Sequence, residues 1–177
     1  SEDGTWDTEL MAYALVTRDE AEQFGGVFST DIEIDSNDKI HATFHVLHSS
    51  MGDGLWHASG SFGSWDKNRI DSESGTGVDS AMAFDSNNGI HIVYSDTTNS
   101  DLKYSFYNET NMWNTSVIAS EGNTGWSSSL ALDVNNRLHV TYYDADLDQL
   151  YYAYSTSETT WMFDVIPTSG DLGGEVE

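Results

Sequence analysis

The chain has 177 residues, enough for one domain with a real core, and its six Trp and nine Tyr argue against disorder. Thirty acidic residues against six basic ones give a formal net charge of −24, a surface that repels nucleic acid and anionic lipid. There is no cysteine, which excludes disulfides, thiol catalysis and cysteine-zinc sites, and no apolar run approaches the roughly 20 residues of a membrane helix.

In chain order, residues 1–27 hold Leu10-Met11-Ala12-Tyr13-Ala14, a strand of a partial unit, followed by an acidic loop around Asp19-Glu20. Three segments then superimpose. Ser29–Phe44, Asp79–Tyr94 and Ser127–Tyr142 each carry an Asp, a His six positions later and an aromatic residue three beyond that. The Asp residues are Asp35, Asp85 and Asp133, and the His residues are His41, His91 and His139. Trp65, Trp113 and Trp161 recur at a spacing of 48, as do Gly77, Gly125 and Gly173. Leu102-Lys103-Tyr104-Ser105 aligns with Leu150-Tyr151-Tyr152-Ala153, and Leu55-Trp56-His57-Ala58 is their looser counterpart.

Each unit predicts four strands. The first covers roughly 29–34, 80–84 and 128–132, and a polar turn of the kind that tolerates tight hairpin geometry follows. The second covers roughly 40–46, 90–95 and 138–143, with the period of two of β structure. The third follows Leu55, Leu102 and Leu150, and the fourth begins at each repeated Trp. Four strands in under 50 residues is the period of a β-propeller blade. The expected fold is therefore all-β, with blades over 28–71, 79–119 and 127–166, an extra N-terminal strand, and a linker over 167–177. Three blades do not close a ring, so closure requires further blades from a longer parent chain or from a second copy.

The pattern from Gly125 to Trp161, Gly-x-x-Ser-Ser-x-Ala-x-Asp-x-Asn-Asn-x-x-His-x-x-Tyr-Tyr-Asp followed by Leu-x-Tyr-Ala and Trp, resembles the repeats of extracellular sialidase-like, Asp-box-related β-propellers of bacteria and archaea. The turn Ser59-Gly60-Ser61-Phe62-Gly63-Ser64-Trp65 looks like a degenerate Asp-box without its Asp. The resemblance implies a secreted or cell-surface location. Two Asn-x-Ser/Thr sequons, at Asn108 and Asn114, are permitted glycan sites there.

A catalytic site has no need of a copy in every blade. His41, His91 and His139, with Asp35, Asp85 and Asp133, are read as a structural network, and Trp65, Trp113 and Trp161 as packing between blades. Asp144, Asp146 and Asp148 are carboxylates at alternate positions and a candidate calcium loop, although the flanking Gly and distal Glu of an EF-hand are missing. Trp126, Asp96, Asp144 and Trp56 are expected near one face of the propeller and form the candidate ligand site. A sialidase site needs several Arg on a carboxylate, and the chain has only Arg18, Arg69 and Arg137. The expectation is a non-catalytic scaffold that binds another protein, or alternatively a carbohydrate, with a glycosidase fragment as a further alternative.

Overall fold

The computed structural model describes residues 26–47, 52–107, 112–157 and 160–167. These form twelve strands and no helix. They are β1 (Gly26–Ile34), β2 (Ile40–Leu47), β3 (Gly54–Ser61), β4 (Ser64–Asp71), β5 (Thr76–Phe84), β6 (Ile90–Asp96), β7 (Asp101–Tyr107), β8 (Trp113–Ala119), β9 (Trp126–Leu132), β10 (Leu138–Asp144), β11 (Gln149–Ser157) and β12 (Thr160–Ile166). Each consecutive set of four is one antiparallel meander, so β1–β4, β5–β8 and β9–β12 are blades 1, 2 and 3. The expected N-terminal strand around Leu10–Ala14 and most of the expected 167–177 linker lie outside the described residues.

The first strand of each blade starts earlier than its apolar pattern suggests. Register shifts at Phe28/Thr30, at Thr76/Val78 and Val78/Ala81, and at Thr141/Tyr143 let the ladder continue through an irregular stretch. Asp79 and Ser127, at equivalent positions, take positive φ there, at 48° and 51°. Such a bulge bends the strand and frees polar groups to face sideways. Here they reach the neighbouring blade. The Met82 amide donates to Asp31 Oδ2 at 2.6 Å, and the Ser127 amide donates to Asp79 Oδ2 at 2.8 Å.

The blades stack face on face, as sheets with one apolar face each must. Leu55 of blade 1 packs with Met82, Ile90, Ile92 and Tyr94 of blade 2. Val93, Leu102, Tyr104 and Ile118 of blade 2 pack with Leu138, Val140, Tyr142 and Ala153 of blade 3. Strand burial follows from this order. Blade 2 is covered on both sides, and every residue of β6 is buried. In β10, buried residues alternate with half-buried ones, because only one face of blade 3 has a described neighbour. The face of blade 3 bearing His139 and Tyr152 is the counterpart of faces that blades 1 and 2 bury on the next blade.

Candidate functional site

The repeated Asp and His belong to the β1–β2, β5–β6 and β9–β10 hairpins. Asp35 Oδ1 accepts the amides of Asn37 and Lys39 at 2.8 and 2.9 Å. Asp85 does the same for Asn87 and Gly89, and Asp133 for Asn135 and Arg137. Turn residues Asp38, Asn88 and Asn136 take positive φ near 60°, which Asn and Asp tolerate better than other side chains. The other carboxylate oxygen faces the His Nε2, at 3.6 Å in blade 1, 3.5 Å in blade 2 and 3.6 Å in blade 3. The opposite ring nitrogen meets a partner on the third strand: His57 Nε2 at 3.0 Å, Tyr104 OH at 2.7 Å and Tyr152 OH at 2.6 Å. Trp113 then sets its edge on His57, and Trp161 sets its edge on Tyr104. The line Asp–His–His/Tyr–Trp thus runs from a turn, through a blade, onto the blade that follows.

The chemistry that is not repeated lies between the blades. Two clefts open at the end of the stack where the blade-to-blade linkers meet the loops after β6 and β10. The cleft between blades 2 and 3 has a volume of about 690 Å³. The cleft between blades 1 and 2 measures about 470 Å³. Their linings correspond position by position at the spacing of 48: Ile70 with Ile118, Glu73 with Glu121, Asp96 with Asp144, Lys103 with Tyr151 and Thr115 with Phe163. Strand register gives the same correspondence, since Lys103 pairs with Tyr94 and Tyr151 pairs with Tyr142.

Lys103 fills the smaller cleft with its own charge. Its Nζ lies 2.7 Å from Asp71 Oδ2, 2.8 Å from Glu73 Oε2 and 3.6 Å from Asp96 Oδ2. Burial alone would push the lysine toward the neutral form, but its hydrogen bonds to Asp71 and Glu73 outweigh that and hold its pKa above the usual value. Asp71 mirrors it: burial raises its pKa, and the bonds from Lys103, the Glu73 amide and Tyr94 OH bring it below the usual value.

The larger cleft has no lysine or arginine in its lining. Ala119 stands where blade 1 has Asp71. Tyr151 and Tyr142 stack with ring centroids 5.3 Å apart and planes 11° from parallel. Burial, then the Tyr151 and Asp144 neighbours, push the Tyr142 phenol up to about 12, so it stays neutral. Asp144 is buried beneath the loop of residues 145–148, and Glu121 and Asp146 stand exposed at the rim.

The four candidate ligand residues do not share one pocket. Asp144 lines the larger cleft and Asp96 the smaller. Trp56 holds the register position of Lys103 and Tyr151, but in blade 1, where it packs beside Phe44 and Val46. Trp126 opens β9, outside both linings, and its indole N–H donates to Asn123 Oδ1 at 2.8 Å. The candidate calcium loop is arranged for other contacts. Asp144 Oδ1 accepts the amides of Asn123, Asp146 and Leu147, while Asp148 Oδ1 accepts the Tyr143 hydroxyl. Among the described residues no three carboxylates or imidazoles converge as metal donors. No motif marks Tyr151 or Phe163, and the alignment of Lys103 with Tyr151 is the sequence signal for that position.

No family model matches this sequence, and neither does any curated protein. Solved structures do match in fold. One is a fucose lectin from Kordia zhangzhouensis in complex with methyl-fucoside, at 17% identity and a TM-score of 0.54, covering 76% of this chain and 96% of that one. At that identity the likeness concerns architecture.

Proposed function

We propose that this chain is a non-catalytic, extracellular propeller segment that binds glycans in the cleft between blades 2 and 3. One observation carries the reading: a cleft of about 690 Å³ lined by the stacked Tyr142–Tyr151 pair, Phe163 and the carboxylates of Asp144, Asp146 and Glu121. Sugars present an apolar C–H face and a rim of hydroxyls. Aromatic rings meet the first and carboxylates accept from the second. A lectin with a similar fold adds support. It favours glycan binding over the scaffold role expected from composition and repeats. It lends nothing to the sialidase-like resemblance as an activity. Arg69 is bonded to the backbone oxygens of Asp53 and Ser72, and Arg137 lies over the Tyr154 ring, so neither arginine lines the cleft.

A glycan array followed by calorimetry tests this reading. Wild-type protein is expected to retain one class of saccharide, and Tyr151→Ala to lose it at least roughly tenfold. Retention of no saccharide, or affinity untouched by Tyr151→Ala, removes the proposal. Fluorogenic glycosides incubated with the protein are expected to release no fluorophore.

A further inference from the structure

We infer that the cleft between blades 2 and 3 selects a ligand bearing an ammonium group, so that among sugars it takes those with a free amine over neutral or N-acetylated ones. The sugar half of this statement rests on the function proposed above; the ammonium half rests on the comparison of the two clefts.

The smaller cleft contains a worked example of what these positions hold. Its occupant is an ammonium, Lys103 Nζ, held by Asp71, Glu73 and Asp96. The larger cleft keeps two of those three carboxylates, as Glu121 and Asp144, and adds Asp146 where blade 2 has Thr98. What it lacks is the cation, because Tyr151 replaces Lys103.

Asp144 registers the loss. Its residue is 1% exposed and its Oδ1 accepts three backbone amides. In blade 2 the corresponding Oδ2, of Asp96, has one donor, Asn99 Nδ2 at 2.8 Å, and an ion pair with Lys103 Nζ at 3.6 Å. Both positions differ in blade 3, where Leu147 corresponds to Asn99 and Tyr151 to Lys103. The hydrogen bonds that Asp144 accepts among the described residues all go to Oδ1, none to Oδ2, and Asp144 lines the cleft. The residue at the lysine's position is an aromatic ring stacked on a second one. Aromatic faces attract cations, and together with carboxylates they recognise ammonium groups. A carboxylate in the cleft wall, a ring at the lysine's position and a negative rim describe one ligand chemistry.

The test titrates the whole chain, by calorimetry and by shifts of the Tyr142 and Tyr151 ring resonances, with glucosamine, N-acetylglucosamine, fucose and methylammonium. Glucosamine is expected to bind roughly tenfold or more tightly than N-acetylglucosamine or fucose, and methylammonium to compete with it. Raising salt weakens both. The double substitution Tyr151→Lys with Ala119→Asp gives the larger cleft the smaller one's own cation and partner, and is expected to abolish glucosamine binding. N-Acetylglucosamine or fucose binding as tightly as glucosamine, with methylammonium inert, overturns the ammonium inference and leaves the glycan reading standing. Methylammonium matching glucosamine supports the ammonium inference and sinks the glycan reading. Binding of none of the four overturns the inference.

Discussion

His41 Nδ1 lies 3.0 Å from His57 Nε2 in the packed interior between blades 1 and 2. Blades 2 and 3 put Tyr104 and Tyr152 where blade 1 has His57. The exchange makes blade 1 sensitive to acid. Burial, then the neighbouring His41, depress the His57 pKa from 6.5 to about 3. The unfolded chain takes up this proton near pH 6.5 and the folded chain does not. Stability from His57 is therefore complete above about pH 6.5 and lost as pH falls toward 3, by up to about 1.4 kcal/mol per unit. His41 and His91, both lowered chiefly by burial, act in the same direction. His57→Tyr restores the pattern of the other blades. Thermal melts are expected to show little change at about pH 7.5 and a shallower decline toward about pH 4.5. A decline as steep as in wild type means that the proton goes elsewhere.

Lys103 is the one cation among three carboxylates, and its removal leaves them facing one another. Lys103→Met is expected to cost about 3–5 kcal/mol, since breaking a buried pair strands its partner charge. The larger cleft shows which second change compensates. Lys103→Tyr with Asp71→Ala copies Tyr151 and Ala119, and is expected to recover at least half of the loss in urea denaturation. If the double variant is no more stable than Lys103→Met, the two clefts are not energetically equivalent.

The blade repeat was legible in sequence because its determinants are local. Asp35 and His41 sit at opposite ends of one tight hairpin, so their contact survives as a fixed spacing, and the 48-residue period sets Trp113 on His57 and Trp161 on Tyr104 of the preceding blade. The clefts were not legible in that way. Ile118 and Glu121 belong to the end of one blade and its linker, and Tyr142, Asp144 and Tyr151 to the next blade. Only stacking brings them together. Motif reading also favours what repeats, whereas the two clefts differ at positions that do not repeat, Lys103 against Tyr151 and Asp71 against Ala119. Trp126 and Trp56 stand out in the sequence as large aromatics, but size does not say which face of a strand a ring occupies.

The hairpin carboxylates should matter in proportion to how well each is shielded. Asp85 and His91 side chains are 14% and 9% exposed, against 28% and 30% for Asp133 and His139. Asp85→Ala removes two charge-assisted bonds to backbone amides and a contact with a buried imidazole, and is expected to cost about 2–3 kcal/mol. Asp133→Ala is expected to cost less, because water replaces the lost partner more readily. Chemical denaturation of the two variants checks the order, and equal losses would refute shielding as the cause.

Trp126 separates positioning from contact. Its indole holds the Asn123 side chain, while the Asn123 amide donates to Asp144 Oδ1 at 3.3 Å and its carbonyl accepts the Ala145 amide at 3.0 Å. Trp126 thus supports the linker behind Asp144 without lining the cleft. Asp144 keeps its amide bonds from Asp146 and Leu147 when that support is gone. Trp126→Ala is expected to lower the melting temperature and weaken the cleft ligand no more than roughly threefold, against tenfold or more for Tyr151→Ala. Calorimetry on the two variants, each checked for folding by circular dichroism, decides the matter. A larger loss of affinity in Trp126→Ala than in Tyr151→Ala would move the binding surface out of the cleft and onto the start of β9.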